Sequence, residues 1–199
     1  ISGLGSHRPR HILMVSSTRV FAEARGGWVH DDSPLTDDDP CALAIIAAEQ
    51  QLLASGHNAS VVRFAGIYGI PGSRLMSRVG RGELCHSEPV SYTNRIHRDD
   101  CAGFLAHLLQ LVDAGKKIEP LYIGVDNEPA PRYEVEAWLA GAMGLEVLPQ
   151  QRLPASVDLP TGRGESGHKR CRNKALHDSG YQLIYPDYKS GYNALLAQN

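Results

Sequence analysis

Short apolar runs that alternate with longer amphipathic segments are the dominant pattern of this 199-residue chain. Three continuous apolar runs are too short for helices and predict buried strands: residues 11–15, 59–64 and 121–125. Three longer segments carry apolar residues at helical spacing: residues 40–55, 98–112 and 132–143. Buried strands that alternate with helices are typical of an α/β fold with a mainly parallel sheet.

Residues that favour the starts and ends of helices support these boundaries. Asp39 and Pro40 suit the N-cap and the first position of a helix, and Gly56 and Gly144 suit helix ends. The first of these helices starts apolar nearly all round, so we expect it to be covered on both sides. The remaining chain predicts loops at 22–38, 65–72 and 149–167, an irregular stretch with one short strand at 80–97, helices at 73–79, 169–178 and 190–198, and a strand at 181–185.

Composition narrows the class of protein. Hydrophobic residues make up 42% and charged residues 21%, which excludes a disordered chain, and the net charge of −2 disfavours general nucleic-acid binding. Apolar runs fall short of a membrane span, so we expect no membrane partner. Four cysteines without a CxxC pair favour a reducing, cytoplasmic compartment. The densest Cys/His group is Cys85, His86, His97 and Cys101, and because it lacks zinc-finger spacing we predict no metal site.

Three motifs invite chemical interpretations that their context weakens. The GxGxxG of Gly162–Gly167 follows a segment with two prolines, which favours a flexible loop over a cofactor-binding turn. The YxxxK of Tyr185–Lys189 contains Pro186, which forces Tyr185 out of the helix that such a proton-transfer dyad needs. The basic cluster at 168–174 is expected to open a helix; a solvated face is the favoured interpretation, and a phosphate contact is the alternative.

Four segments, which follow one another in the same order as in a known family, carry a resemblance to it: Val15–Ala22, Arg63–Gly72, Asn94–Asp100 and Asp126–Pro129. The first has Ser and Thr before a Val-Phe pair, the second reads Arg-Phe-Ala-Gly-Ile-Tyr-Gly-Ile-Pro-Gly, and the third contains Ile-His-Arg-Asp-Asp. Together they resemble the NAD-dependent epimerase/dehydratase branch of the extended short-chain dehydrogenase/reductase superfamily. The resemblance covers about residues 8–198.

This resemblance implies a Rossmann-like, doubly wound, mainly parallel sheet with a small substrate-side subdomain built from about 66–98 and 126–199. Proteins of the family begin with a glycine-rich dinucleotide loop and about three strand–helix units, but only ten residues precede the Ser-Ser-Thr strand here. We therefore expect residues 1–199 to form a single incomplete domain, the C-terminal part of such a protein, with the first half cleaved or not resolved.

The resemblance also implies site residues. Ser17 matches the catalytic serine, and NAD or NADP contacts fall on Ser16, Ser17, Gly66, Ile67 and Tyr68. Substrate contacts fall on Asn94, Arg95 and His97. Two interpretations stay open for the last two: they line a polar ligand pocket, or His97 caps a helix and Arg95 pairs with a surface acid.

One departure from the family concerns proton transfer. Anchoring the family pattern on Ala47–Glu49 places Cys41 and Ile45 where its Tyr and Lys belong. We expect Cys41 to be a buried, inert thiol, with a reactive thiolate as the alternative. The resemblance thus implies an NAD(P)-dependent epimerase/dehydratase-like oxidoreductase with a degenerate site and a small-molecule, nucleotide-sugar-like substrate. The alternative is a non-catalytic nucleotide-binding or regulatory module. The sequence predicts neither the choice between NAD and NADP nor the oligomeric state.

Overall fold

The fold is seen in a computed structural model that describes residues 2–4, 7–146 and 167–198. Its strands are β1 (Ile12–Ser17), β2 (Trp28–Val29), β3 (Ala59–Phe64), β4 (Gly66–Tyr68), β5 (Tyr92–Thr93), β6 (Arg95–His97), β7 (Leu121–Gly124), β8 (Ala130–Pro131) and β9 (Arg170–Cys171). Its helices are α1 (Pro40–Leu53), α2 (Arg74–Gly80), α3 (Arg98–Asp113), α4 (Arg132–Ala142), α5 (Lys174–Asp178) and α6 (Tyr188–Leu196).

Three of these strands form a parallel sheet in the order β1-β3-β7. The register pairs Ser17 with Phe64 and Phe64 with Gly124, so the carboxyl ends of all three strands meet at one edge. The α/β fold and the three strands predicted from the apolar runs are therefore confirmed. Both the N-cap at Asp39 and the first-turn proline of α1 are confirmed as well, with the Asp39 carboxylate accepting the Cys41 N–H at 3.0 Å.

Helices cover the two faces of this sheet. On one face, Val62 and Phe64 of β3 pack with Phe104 and Leu108 of α3. On the other, Ile46 of α1 joins a cluster drawn from β2, β7, β9 and the segments that follow β1 and β7: Val20, Phe21, Val29, Ile123, Val125 and Cys171. Helices on opposite faces of a parallel sheet confirm the doubly wound, Rossmann-like class.

The first helix differs from expectation. Only one stripe of α1 is buried, made by Ala42, Ile46, Glu49 and Leu52 at helical spacing. The outer residues Leu43 and Leu53 are 42% and 45% exposed. The prediction of a helix covered on both sides was wrong for the part of the chain that the structure describes, because no second layer packs over the outer face of α1.

Short strands account for most other differences. The regions 22–38 and 65–72, expected to be loops, contain β2 and β4, and 80–97, where one short strand was expected, contains both β5 and β6. The helix expected over 169–178 begins only at Lys174, because Arg170 and Cys171 pair with β2. These strands are two or three residues long and form through distant pairing, so periodicity alone does not reveal them.

The strand expected at 181–185 is absent, since those residues are irregular in the structure. Buried Asp100 instead accepts the N–H groups of Ile184 and Tyr185 at 2.7 and 3.0 Å. Tyr185 precedes α6 whereas Lys189 lies within it, which confirms that the two do not share a helix. The residues of the GxGxxG motif from 162 to 166 lie outside the described residues. Within the described ranges, no helix combines the length and apolar character that a membrane crossing requires.

Candidate functional site

The carboxyl edge of the three-stranded sheet is the starting point for a site, because open α/β sheets bind ligands beyond that edge. Ser17 is the last residue of β1 and is half-buried. Its hydroxyl oxygen accepts the Arg19 N–H at 3.2 Å, at the start of the short 3-10 turn Thr18–Val20. That contact leaves the hydroxyl hydrogen of Ser17 available to donate to a ligand oxygen.

The neighbouring Ser16 faces helix α1. Its hydroxyl donates to Glu49 Oε1, and the same carboxylate binds the guanidinium of Arg63. Ser16 and Arg63 are paired across β1 and β3, so the three side chains form one network between the sheet and α1. The predicted cofactor contact from Ser16 would have to coexist with this hydrogen bond.

Two groups of residues that the resemblance implicated separately are adjacent in the structure. Strand β4 pairs in parallel with β6, and Gly66, Ile67 and Tyr68 lie opposite Arg95, Ile96 and His97. Gly66 and Ile67 are exposed, and Ile67 retains 55% of its accessible surface. The exposed backbone and side chain of β4 are therefore accessible to a ligand at this edge.

The polar groups of Asn94 and Arg95 form hydrogen bonds within the protein. The Asn94 amide donates to Lys169 O at 2.9 Å and accepts the Cys171 N–H at 2.8 Å, which clamps β9. Arg95 is buried and donates to Thr93 and to the Glu128 carbonyl, and its guanidinium lies 5.1 Å from the Tyr188 ring centroid. Arg95 does not pair with a surface acid among the described residues, and a ligand contact from either residue stays a prediction.

His97 caps helix α3. Its Nδ1 accepts the Asp99 N–H at 3.2 Å, and its ring packs between Tyr185 and Tyr68, with centroid distances of 4.1 and 5.2 Å. Its Nε2 is buried without a hydrogen-bond partner in the described residues. Gly69, at φ +120°, closes over this atom, since a Cβ there would lie 2.7 Å from it. Burial lowers the pKa of His97, which favours the neutral ring.

A second buried polar atom lies at the end of β7. Asp126 is 2% exposed; its Oδ1 accepts the Glu128 N–H at 3.1 Å, while Oδ2 has no partner among the described residues. Burial raises the pKa of this carboxyl group to about 7, and the nearby Arg95 opposes the shift. Sequence reasoning identified 126–129 only as a turn, because nothing in the sequence shows that this carboxylate is buried.

Lys169 is a buried residue near Ser17 for which the sequence predicted no structural role. It is 2% exposed, and its ammonium donates to the carbonyls of Thr18 and Phe21 at 3.3 and 3.2 Å. These carbonyls belong to the turn that follows Ser17, so Lys169 fixes the backbone beside the candidate catalytic hydroxyl. Burial lowers the Lys169 pKa. The basic cluster 168–174 therefore contains an anchoring residue as well as surface charges.

The positions of the missing Tyr and Lys are both on α1. Cys41 is exposed, which corrects the expectation of a buried thiol: the buried stripe of α1 starts at Ala42, and Cys41 lies outside it. Ile45 is partly buried and packs against the cluster that contains Ile46. Neither side chain can supply a phenol or an ammonium group, so the usual proton-transfer pair is absent from these two positions.

The N-termini of helices α1 and α3 do not suit a pyrophosphate. The N-terminus of α1 is capped by the Asp39 carboxylate, and the first turn of α3 carries Asp99 and Asp100. Both ends present negative side chains where a phosphate would need bare N–H groups.

A metal site and a surface cavity are the two other kinds of site to consider in the described residues. Among the described residues, no three His, Cys, Asp or Glu side chains are grouped so that they could hold a metal ion. A surface cavity of about 240 Å³ is lined by residues that include Lys116, Glu119 and Tyr122. It lies beside the amino end of β7, opposite the edge at which α/β sheets bind ligands, and contains no predicted site residue.

Comparison with known proteins was informative only for solved structures, because no family model and no curated protein matches the chain. The chain is 38% identical to the "putative NAD-dependent epimerase/dehydratase" of Methylobacillus flagellatus, with a TM-score of 0.77, over 95% of this chain and 64% of that one. It is 31% identical to a functionally unknown conserved protein from Silicibacter pomeroyi, with a TM-score of 0.76, over 95% of this chain and 67% of that one.

A third solved structure shares the fold at lower identity. Human epimerase family protein SDR39U1, solved with NADPH, is 20% identical, with a TM-score of 0.75, over 96% of this chain and 66% of that one. The chain therefore spans about two thirds of the length of each of these three proteins.

Proposed function

Because this chain belongs to the NAD-dependent epimerase/dehydratase family of extended short-chain dehydrogenases/reductases, we propose that it contributes to an NAD(P)-dependent oxidoreductase. The proposed reaction is of the epimerase/dehydratase type, on a small-molecule substrate that resembles a nucleotide sugar. The observation that carries the proposal is the position of Ser17 at the carboxyl edge of the sheet, with its hydroxyl hydrogen free to donate. A cytosolic location is part of the proposal, because all four cysteines are free thiols.

Each residue of the edge has a distinct role in this proposal. A bound nicotinamide would accept or return a hydride at the substrate carbon. Ser17 donates a hydrogen bond to the substrate oxygen, where negative charge develops as a carbonyl is reduced. Lys169 holds the turn after β1 in place through two backbone carbonyls, and so positions Ser17. In this proposal Gly66, Ile67 and Tyr68 would line the wall beside a bound nicotinamide. The segments 66–98 and 126–199, of which 147–166 lie outside the described residues, would form the substrate side.

The absent Tyr–Lys pair favours the second candidate function, a non-catalytic nucleotide-binding or regulatory module. With Cys41 exposed and Ile45 apolar, no group on α1 replaces the phenol. An active enzyme of this family would then need its proton from another group or from water. Turnover distinguishes the two candidates, since a module binds a nucleotide without changing it.

The test uses the protein expressed from its complete reading frame. It is incubated with deuterated NADH or NADPH and a panel of nucleotide keto-sugars, whose carbonyl carbon can accept the deuteride, and deuterium in the recovered sugar is measured by mass spectrometry. Ser17→Ala should lower the transfer rate roughly a hundredfold, which is the effect of removing one hydrogen bond to a developing oxyanion. Ser55→Ala is the matched control, because Ser55 lies after α1, at the opposite end of the sheet.

One outcome would contradict the role of Ser17, and another would contradict the enzyme. Transfer that does not depend on Ser17 would remove its proposed role. Binding of the cofactor without any transfer to the panel would favour the non-catalytic module.

A further inference from the structure

The outer face of the β2–β9 pair carries an unusual set of side chains. Trp28 of β2 lies opposite Arg170 of β9, and Val29 lies opposite Cys171. Val29 and Cys171 point into the core, so Trp28, Arg170 and Arg172 project to the other side. We call Trp28, Arg170 and Arg172 the arginine–tryptophan face. It contains the two arginines of the basic cluster 168–174.

The side chains of this face are stacked. The Arg172 guanidinium carbon lies 4.0 Å from the Trp28 ring centroid, and that of Arg170 lies 5.0 Å from it. Arg170 also lies 4.7 Å from the ring of Tyr92, which stacks at 5.8 Å and a 4° interplanar angle on His168. Trp28 is still 40% exposed, and Arg172 is exposed. The face is therefore an ordered aromatic and cationic surface that solvent can reach.

The charges of this face are not neutralised within the described residues. Neither Arg170 nor Arg172 forms an ion pair there, in contrast to Arg63, Arg78 and Arg132.

The N–H donors of the face are also largely unused. Arg170 donates its Nε–H to the Gly26 carbonyl at 2.8 Å, which leaves its terminal N–H groups available to a ligand. Glu23, in the same loop, turns its carboxylate to the N–H groups of Arg25 and Gly27. A guanidinium stacked on a ring keeps its N–H donors pointing sideways, so both arginines can still donate.

The backbone beneath the face is held firmly. Arg170 N donates to Gly27 O at 2.8 Å and Arg172 N donates to Val29 O at 3.0 Å. Asn94 binds β9 on both sides of Arg170, through Lys169 O and the Cys171 N–H. Because the backbone and side chains of the face are already ordered, the entropic cost of ordering them on ligand binding would be small.

We propose that the arginine–tryptophan face binds the oxyanion group of a small molecule, a phosphate ester or a carboxylate. Guanidinium groups match both oxyanions with paired N–H donors, and the exposed indole adds a flat apolar surface beside them. The proposal does not rest on the proposed oxidoreductase function, because its evidence is charge and geometry outside the Ser17 edge. It turns the phosphate contact that the basic cluster suggested into a defined pair of residues.

Fluorescence of Trp28 gives a direct test. The 199 residues contain two tryptophans, so Trp138→Phe leaves Trp28 as their only indole. This protein is titrated with pyrophosphate, inorganic phosphate and citrate, with sodium chloride adjusted to hold the ionic strength constant. We expect a saturable change in emission. Saturation by the two phosphates alone would identify a phosphate ester as the ligand class, and saturation by citrate as well would include carboxylates.

Variants then assign the effect to the face. Arg172→Gln should weaken the binding of the best anion roughly tenfold, the loss typical of a charge-assisted hydrogen bond. Arg74→Gln, an exposed arginine at the start of α2, is the matched control and should leave the affinity unchanged. Arg172 is exposed, so its replacement should not disturb folding, and circular dichroism checks this. The absence of a saturable change in emission at constant ionic strength, or equal affinity in Arg172→Gln, would overturn the proposal.

Discussion

Arg63 and Glu49 form a bidentate ion pair, with N–O distances of 3.1 and 2.7 Å, that joins β3 to α1 beneath the carboxyl edge of the sheet. Their side chains are 6% and 4% exposed. The Ser16 hydroxyl donates to the same carboxylate, and Arg63 lies 4.9 Å from the Phe21 ring centroid. The pair therefore fixes α1 against β3, and the Ser16 hydroxyl extends the contact to β1, the strand that ends at Ser17.

Removing one partner of this pair should be costly. Glu49→Ala leaves a buried guanidinium without its counterion, and we expect the free energy of unfolding to fall by about 3–5 kcal/mol. Urea denaturation followed by circular dichroism measures the change. Asp113→Ala, which breaks the exposed pair with Arg10, is the control and should have little effect. Equal losses in the two variants would show that the buried pair contributes no more than a surface pair.

Asp126 should make stability depend on pH. Its ordinary pKa of 3.8 applies to the unfolded chain, and burial raises the pKa of the folded state to about 7. Between about pH 4 and pH 7 the folded state keeps a proton that the unfolded state has lost. The stabilising contribution is therefore complete below about pH 4 and is lost as the pH rises towards 7, at no more than about 1.4 kcal/mol per pH unit.

The measurement is a series of urea midpoints at pH 5, 6, 7 and 8. Asp126→Asn removes the titration, so its midpoints should fall less with pH than those of the parent protein and exceed them at pH 8. Asp37→Asn changes an exposed carboxyl group and should follow the parent curve. Parallel curves for the parent and Asp126→Asn would contradict a perturbed Asp126.

The four thiols should react at very different rates. Cys41 is exposed, whereas Cys85, Cys101 and Cys171 are wholly or partly buried, and burial raises the pKa of each to about 12. With a disulfide reagent at pH 8 we expect one fast equivalent from Cys41 and three that are at least roughly a hundredfold slower, because the thiolate is the nucleophile.

Cys41→Ser should abolish the fast phase, and all four thiols of the parent should react once urea unfolds it. In the full-length protein, the same substitution should barely change turnover on any substrate found. A loss of a hundredfold or more in an intact fold would instead make Cys41 catalytic.

The 199 residues by themselves should bind NAD and NADP weakly or not at all. Among the described residues, the N-termini of α1 and α3 carry acidic side chains and no glycine-rich turn, so neither suits a pyrophosphate. Calorimetric titration with both dinucleotides, on protein verified at 21.7 kDa, measures this. Micromolar affinity would show that a pyrophosphate site exists elsewhere in these residues.

The sequence predicted those parts of the fold that local signals determine. Apolar runs located β1, β3 and β7, and the Asp39–Pro40 start of α1 was visible as a cap. Strand β2 was not visible, because its partner Arg170 is distant in sequence and no local pattern encodes the pairing. The strand expected at 181–185 failed for the same reason, since the Asp100 carboxylate takes the N–H groups that a sheet would use.

The candidate site was predicted in outline only. The family resemblance implicated Ser17 and both strands β4 and β6, and their parallel pairing shows these segments side by side. The burial of Asp126 and Lys169 could not be predicted, because it depends on which distant backbone covers each side chain. The outward direction of Cys41 was missed because α1 is apolar on both sides although only one side packs.

The contact between Lys169 and the Thr18 carbonyl joins residues 151 positions apart. A ribosome releases the strand that ends in Ser17 long before it has synthesised the lysine that holds the following turn. Helices with nearby contacts, such as α3, can form early, whereas this turn must wait for the late segment to return across the sheet. The geometry around Ser17 is therefore among the last features to be completed during synthesis, and a nascent chain that stops short of residue 169 lacks it.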